Sequence, residues 1–177
     1  MTLFLTKPDI KYKASFFAGL AEMTKSSERF SWNYLVPEDV IENDFTAYVQ
    51  HLLKLETHPP VGFVPDTVYW AILKDEIIGR ISLRHELNDF LKQAGGNIGY
   101  IVRPSQRSKG SASEMLRQLL LTDRAFSIGK LLLTCDEGNI GSEKTILKNG
   151  GLFEKTLLIE SDKTFKKHFW INLNRNH

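Results

Sequence analysis

The sequence predicts a single domain of the α+β or α/β class: a mixed, mostly antiparallel sheet of six to seven strands with helices on both faces. Three observations predict it. Segments with apolar residues at helical spacing interleave with short alternating or continuous apolar runs, so two periods share one chain. The 177 residues suit one domain, 1–177, with no repeat and no second core. Hydrophobic residues at 42% and charged residues at 25% are ordinary for a folded globular chain.

The elements follow in order. Leu3 to Leu5 is a short apolar start, and Pro8 with Asp9 makes a turn. Phe16, Phe17, Leu20 and Met23 give a helix over Tyr12 to Thr24. Pro37, Glu38 and Asp39 suit a helix start, and Ile41, Phe45, Tyr48, Val49 and Leu52 share one face of that second helix. Pro59 and Pro60 end it, and a linker runs to Pro65. Val68 to Leu73 and Ile77 to Leu83 are rich in β-branched and aromatic residues, and Lys74-Asp75-Glu76 between them suits a hairpin turn.

Asn88 to Gly96 is polar and reads as a loop, and Asn97 to Val102 is a third strand of the group with Ile98, Tyr100 and Val102 alternating. From Gly110 the period changes: Ala112, Met115, Leu116, Leu119 and Leu120 predict one helix to about Ile128, closed by Gly129. Leu131 to Cys135 has the continuous apolar pattern of a strand covered on both faces. Ser142 to Asn149 is a short helix closed by Gly150-Gly151. Phe153 to Ile159 and His168 to Leu173 then form a hairpin around a charged turn, Ser161 to Lys167.

Charge and cysteine content narrow the function. A net charge of +2 argues against nucleic-acid and membrane partners. The single Cys135 permits no internal disulfide and no cysteine-based zinc site, which points to the cytoplasm. No apolar run approaches the ~20 residues that span a bilayer, and the N-terminal residues lack a secretory pattern.

One stretch carries chemistry. A strand leads through Pro104 into Gln106-Arg107-Ser108-Lys109-Gly110-Ser111-Ala112 and straight into a helix. Unpaired N–H groups and the positive end of the helix dipole suit a phosphate there, and small residues let it approach. Arg107 and Lys109 add positive charge. The short pattern alone is common; the strand before it and the amphipathic helix after it are what an anion cradle requires.

Tyr100-Ile-Val-Arg-Pro-Ser-Gln-Arg-Ser-Lys-Gly-Ser-Ala112 resembles the motif of the Gcn5-related N-acetyltransferase (GNAT) family, and Asn139, Ser142 and Gly150-Gly151 resemble its second motif. The resemblance covers about Ile98 to Phe153, and the element order outside it agrees. It implies acetyl-CoA as co-substrate, no metal, and acetyl transfer to a primary amine of a small molecule or peptide by direct attack on the thioester. Ile101 and Val102 would offer backbone groups to the pantetheine arm. Arg107, Ser108, Lys109, Gly110, Ser111 and Ala112 would hold the pyrophosphate. Asn139 and Ser142 would meet the pantetheine side, and the thioester would lie where the strand of Val102 splays from that of Thr134. A homodimer is compatible with the pattern.

The resemblance breaks at proton transfer. The family's usual Tyr, four residues after the position of Ser142, is Ile146 here, and Asn97 stands where some relatives carry a base. His85 and Glu86 are the nearest titratable candidates by element order. Asp136 and Glu137 are acids near the gap, Cys135 reads as a core residue, and His51 and His58 have no third metal ligand. Trp32, Trp70 and Phe63 belong to the core or its rim. Gly95-Gly96-Asn97-Ile98-Gly99 is no dinucleotide fingerprint because it leads into a strand, and Lys109-Gly110-Ser111 reverses the order a P-loop needs. The reading from another class is a non-catalytic acetyl-CoA sensor or interaction module.

Overall fold

The computed structural model describes residues 2–26, 32–34, 36–161 and 163–173. Seven strands occur among them: β1 (Phe4–Thr6), β2 (Asp66–Leu73), β3 (Glu76–Arg84), β4 (Ile98–Val102), β5 (Lys130–Asp136), β6 (Leu152–Ile159) and β7 (Thr164–Asn172). They form two sheets, ordered β1-β2-β3-β4 and β5-β7-β6, with every pairing antiparallel. The expected sheet is thus present but divided between β4 and β5.

The helices are α1 (Lys13–Lys25), α2 (Glu38–Asn43), α3 (Phe45–Lys54), α4 (Asp89–Ala94), α5 (Ser111–Leu120), α6 (Asp123–Ile128) and α7 (Ile140–Lys148). Two expected helices are each broken in two. Asp44 leaves helical geometry (φ −146°, ψ 85°) and its side chain accepts from the Ala47 N–H, capping α3. Thr122 does the same for α6 through the Ala125 N–H. Asn88 caps α4, so the expected loop contains a helix. In each case a capping side chain satisfies N–H groups that a helix start leaves open, a local signal that apolar spacing does not report.

The β2–β3 hairpin turns on Lys74 and Asp75, both left-handed (φ 52° and 61°), so two residues suffice and Glu76 already pairs with Leu73. The last hairpin is tighter than expected: β7 starts at Thr164, not His168, and position 162 of the turn lies outside the described residues. Charged residues along β7 obscured its start.

Side chains alternate across β3. Ile81 and Leu83 pack with Met115, Leu116 and Leu119 of α5 and with Phe169 and Ile171 of β7, joining both sheets in one core. On the opposite face Val68, Trp70, Ile72 and Ile77 meet Phe16, Leu20, Phe45 and Tyr48 from α1 and α3. Each such fully buried side chain contributes roughly 1.5–3 kcal/mol. Trp32 and Trp70 belong to this second core.

The two sheets meet at Asn97, just before β4. Its backbone N–H donates to the Leu132 carbonyl (2.7 Å), its side-chain oxygen accepts from the Leu132 N–H (2.8 Å), and its amide group donates to the Arg84 carbonyl (3.1 Å). Gly96 makes this approach possible: its φ is +63°, and a Cβ there would lie 2.4 Å from the Leu132 carbonyl oxygen. Beyond the clasp β4 has no hydrogen-bonded strand on that side among the described residues, and a wedge-shaped gap opens.

Candidate active site

The gap leads to the stretch marked in the sequence. After β4, Pro104–Gln106 forms one 3₁₀ turn, Ser108 and Gly110 take left-handed backbone conformations (φ 59° and 81°), and α5 begins at Ser111. No side chain caps α5, so its first N–H groups face outward at the positive end of the helix. Gly110 is in the region that favours glycine, and a Cβ there would meet nothing within 4 Å. The turn is anchored from behind. Arg103 donates to Glu22 of α1 (Nε 3.0 Å) and to the Ile77 carbonyl (3.3 Å), and the Ser105 N–H donates to the second Glu22 oxygen (3.2 Å). Burial opposes ionisation of Glu22, but the bonds from Arg103 and Ser105 prevail and hold its carboxyl below the usual range.

A cleft of 530 Å³ opens over this helix start. Tyr100, Ile101 and Val102 form one wall, residues 106–108 and 110–113 the floor, and Asn139, Gly141, Ser142 and Thr145 the other wall. Asn149, at the end of α7, ties that wall to the floor by donating from Nδ2 to the Ser113 hydroxyl and carbonyl (3.2 Å each). The Asn139 side-chain oxygen caps α7 by accepting from the Ser142 N–H (3.1 Å). Its amide group is the part that can face a ligand.

Every residue of the Arg107 to Ala112 stretch lines this cleft except Lys109. The Lys109 ammonium donates to the Ser105 carbonyl (2.8 Å) and Gln106 Oε1 (3.4 Å) instead. Arg107 turns its Nε to the Val102 carbonyl (3.0 Å), so one backbone acceptor expected to face pantetheine also holds the loop.

The gap between the sheets, 350 Å³, adjoins the cleft and shares Tyr100, Asn139 and Ser142 with it. The Tyr100 hydroxyl donates to Ser142 Oγ (3.1 Å), and burial pushes the phenol up, keeping it protonated. The sequence marked Tyr100 as an alternating strand residue and the first residue of the resembling stretch, with no role for its hydroxyl. The available signal was that this alternation sets it on the face of Ile98 and Val102, where α5 packs. Ile146, in contrast, is buried in the core, and a Cβ on Gly151 would lie 2.4 Å from its side chain.

Cys135 lines the gap as a buried thiol pushed up to about 11 by burial, so it stays protonated and weakly nucleophilic at neutral pH. Asp136 also lines the gap and is paired with Lys166. His85 and Glu86 line neither gap nor cleft. They follow β3 at the end where Arg84 pairs with Asp66, away from Gly79, which pairs with Val102. His85 Nε2 lies 2.8 Å from the Thr67 hydroxyl, and burial, then Arg124, lowers its pKa. Asn97 is 2% exposed and spent on the clasp. His51 and His58 are exposed. Among the described residues no group of three His, Cys, Asp or Glu side chains could hold a metal, and no helix is long and apolar enough to cross a membrane.

A two-sheet wedge with an uncapped, glycine-led helix start at its mouth is the geometry of an acyl-CoA transferase. Residues 8–151 match the acetyltransferase (GNAT) domain, and the chain belongs to that family of acetyl-CoA-dependent N-acetyltransferases. Among solved structures it is similar to RimL, a ribosomal α-N-protein acetyltransferase in complex with coenzyme A (17% identity, 97% of this chain and 94% of that one, TM-score 0.71). It is similar also to a spermidine N-acetyltransferase chimera from Vibrio cholerae and hSSAT (16%, 100% of both chains, 0.65) and to Mycobacterium smegmatis RimJ with a CoA disulfide (15%, 96% and 81%, 0.68). At these identities the likeness establishes the fold. No curated protein matches the chain by sequence.

Proposed function

We propose that the protein moves the acetyl group of acetyl-CoA onto a primary amine of a small molecule or peptide, by direct attack on the thioester. The observation that carries this reading is the opening of the gap onto the α5 start: an anion cradle and a slot for an extended arm share Tyr100, Asn139 and Ser142. Arg107, Ser108, Gly110, Ser111 and Ala112 hold the pyrophosphate, and the unpaired edge of β4 at Ile101 and Val102 receives the pantetheine. RimL, whose fold this chain shares, binds coenzyme A.

The neutral amine adds to the carbonyl carbon, and the oxyanion is met by backbone N–H groups on the open edge of β4. Collapse expels the CoA thiolate and leaves an amide whose extra proton passes to solvent. The Tyr100 hydroxyl, rather than a residue of α7, gives the thiolate its proton and recovers one from water. His85 and Glu86 take no part, and positioning supplies much of the rate. Residues 1–177 act as one transferase domain, with the lone thiol of Cys135 suited to the cytoplasm; a homodimer is compatible with this reading.

The test is thiol release from acetyl-CoA with amino acids, peptides, polyamines and aminoglycosides as acceptors. Acceptor-dependent release supports the transferase. A second reading, a non-catalytic acetyl-CoA sensor, is favoured by Ile146 and Asn97; tight acetyl-CoA binding without release on any acceptor would establish it instead.

A further inference from the structure

A third opening, 450 Å³, lies on the opposite face of the first sheet from the coenzyme cleft. Arg80, Ser82 and Arg84 alternate along β3 with Ile81 and Leu83, which pack toward α5, so the first three point toward the α1–α3 side. Its walls are apolar, and two of its rings are largely bare: Phe63 is 59% and Phe90 68% exposed. Its base is charged. Asp66, Arg80 and Arg84 sit there with Tyr34, two guanidinium groups to one carboxylate.

The carboxylate is half used. Its Oδ2 accepts from the Tyr34 hydroxyl and lies 3.9 Å from Arg84 Nε. Its Oδ1 is buried with no hydrogen-bond partner, in a residue 4% exposed. The Ser82 hydroxyl lies beside it outside hydrogen-bonding geometry, close enough only to temper the effect of burial. A buried acceptor left open asks for a donor from a ligand. Arg80 packs 4.6 Å from the Tyr34 ring centre. Arg84 lines both this chamber and the gap, and its Nη2 would lie 3.4 Å from a Cβ on Gly99 of β4. Arg84 thus stands between chamber and gap, with its Nη1 donating to the Gly95 and Gly96 carbonyls (3.2 Å each).

We propose that this chamber holds the far end of the acceptor, and that the acceptor is an amine carrying a carboxylate or phosphate with a hydrogen-bond donor beside that anion. This rests on the transferase reading. The anion pairs with the Arg84 guanidinium, the donor meets Asp66 Oδ1, apolar portions cover Phe63 and Phe90, and the amine reaches the thioester past Arg84. A polyamine is disfavoured, because its second ammonium would lie among an excess of like charge.

The experiment compares matched acceptors under saturating acetyl-CoA: a dipeptide against its C-terminal amide, phosphoethanolamine against ethanolamine, and spermidine. The first pair reports a carboxylate source and the second a phosphate source. In at least one pair the anionic member should show kcat/KM about tenfold higher or more, with spermidine the poorest acceptor. Arg84→Gln should bring that pair within about threefold, a ratio taken within one variant that a general loss of coenzyme affinity would leave unmoved. Equal rates within both pairs, or a preference for spermidine, would overturn the proposal, and that comparison needs only the wild-type chain. If nothing is turned over, the same compounds are titrated onto the CoA-loaded protein. Anion-dependent binding then upholds the chamber although the transferase reading fails, and its absence overturns the chamber.

Discussion

Replacing the Tyr100 phenol with a phenyl ring removes the more acidic of the two hydroxyls, Tyr100 and Ser142, that border both cleft and gap, while leaving the packing of β4 intact. A positioned acid contributes typically about 10²–10⁴ in rate, and a thiolate leaves readily, so Tyr100→Phe should lower kcat by about 100-fold or somewhat less. Acetyl-CoA affinity in a calorimetric titration should not move; an unchanged kcat would remove Tyr100 from the mechanism. Asp66 gives a pH signature of its own. Burial, opposed by Arg84 and Arg80, raises its pKa from 3.8 to about 6. The folded chain thus holds that proton more tightly than the unfolded one, and stability from this group falls as pH rises from 3.8 through about 6. Asp66→Asn, neutral throughout, should flatten that fall, so that its unfolding free energy in urea titrations gains on the wild type between pH 4 and pH 7, by an amount on the order of 1–3 kcal/mol.

At the scale of the element, the start of α5 and the Asn97 clasp carry separate burdens. Gly110→Ala places a Cβ in open space but at φ +81°, costing on the order of 1–2 kcal/mol of stability. Gly110→Glu carries the same strain plus a negative charge at the cradle. It should lose CoA binding well beyond the alanine variant at similar stability; equal affinities would remove the pyrophosphate from this loop. Asn97→Ala leaves the Leu132 N–H and the Arg84 carbonyl unpaired where the β4 and β5 ends are bridged. With each buried unmade bond costing about 1–3 kcal/mol, denaturation should show a loss of about 2–4 kcal/mol. Acetyl-CoA should also bind more weakly, because the wedge opens from that point.

Taken as a whole molecule, the protein is two sheets joined through one core and held apart by a gap that a coenzyme would fill from both sides. A ligand bound at a hundred times its Kd stabilises the native state by about 2.7 kcal/mol. For a chain of this size each kcal/mol moves Tm by about 2–4 °C, so CoA should raise Tm by roughly 5–10 °C. Adenosine, which has no pyrophosphate for α5 and no arm for the gap, should shift it little. A matching shift with adenosine would place the binding energy elsewhere.

The sequence by itself determined the strands, most helical stretches and the glycine-led start of α5, because each depends on neighbours within a few residues. Apolar spacing places Met115 and Leu119 on one face, and Gly110 before Ser111 marks a left-handed turn into a helix start. It under-read the breaks at Asp44 and Thr122, where a capping side chain outweighs an uninterrupted apolar stripe. Only the tertiary structure decided the rest. That Asn97 is a clasp and not an idle stand-in for a base depends on Leu132, 35 positions away. That Tyr100 meets Ser142 depends on α7 docking across the gap. Asp66, Arg80 and Arg84 share a chamber because two strands pair in one register, and the Tyr34 hydroxyl reaches the same carboxylate from a separate part of the chain. Local patterns fix which way a side chain points along its own element; which distant group it meets is set by packing between elements, and the chamber proposed for the acceptor is built almost wholly from such meetings.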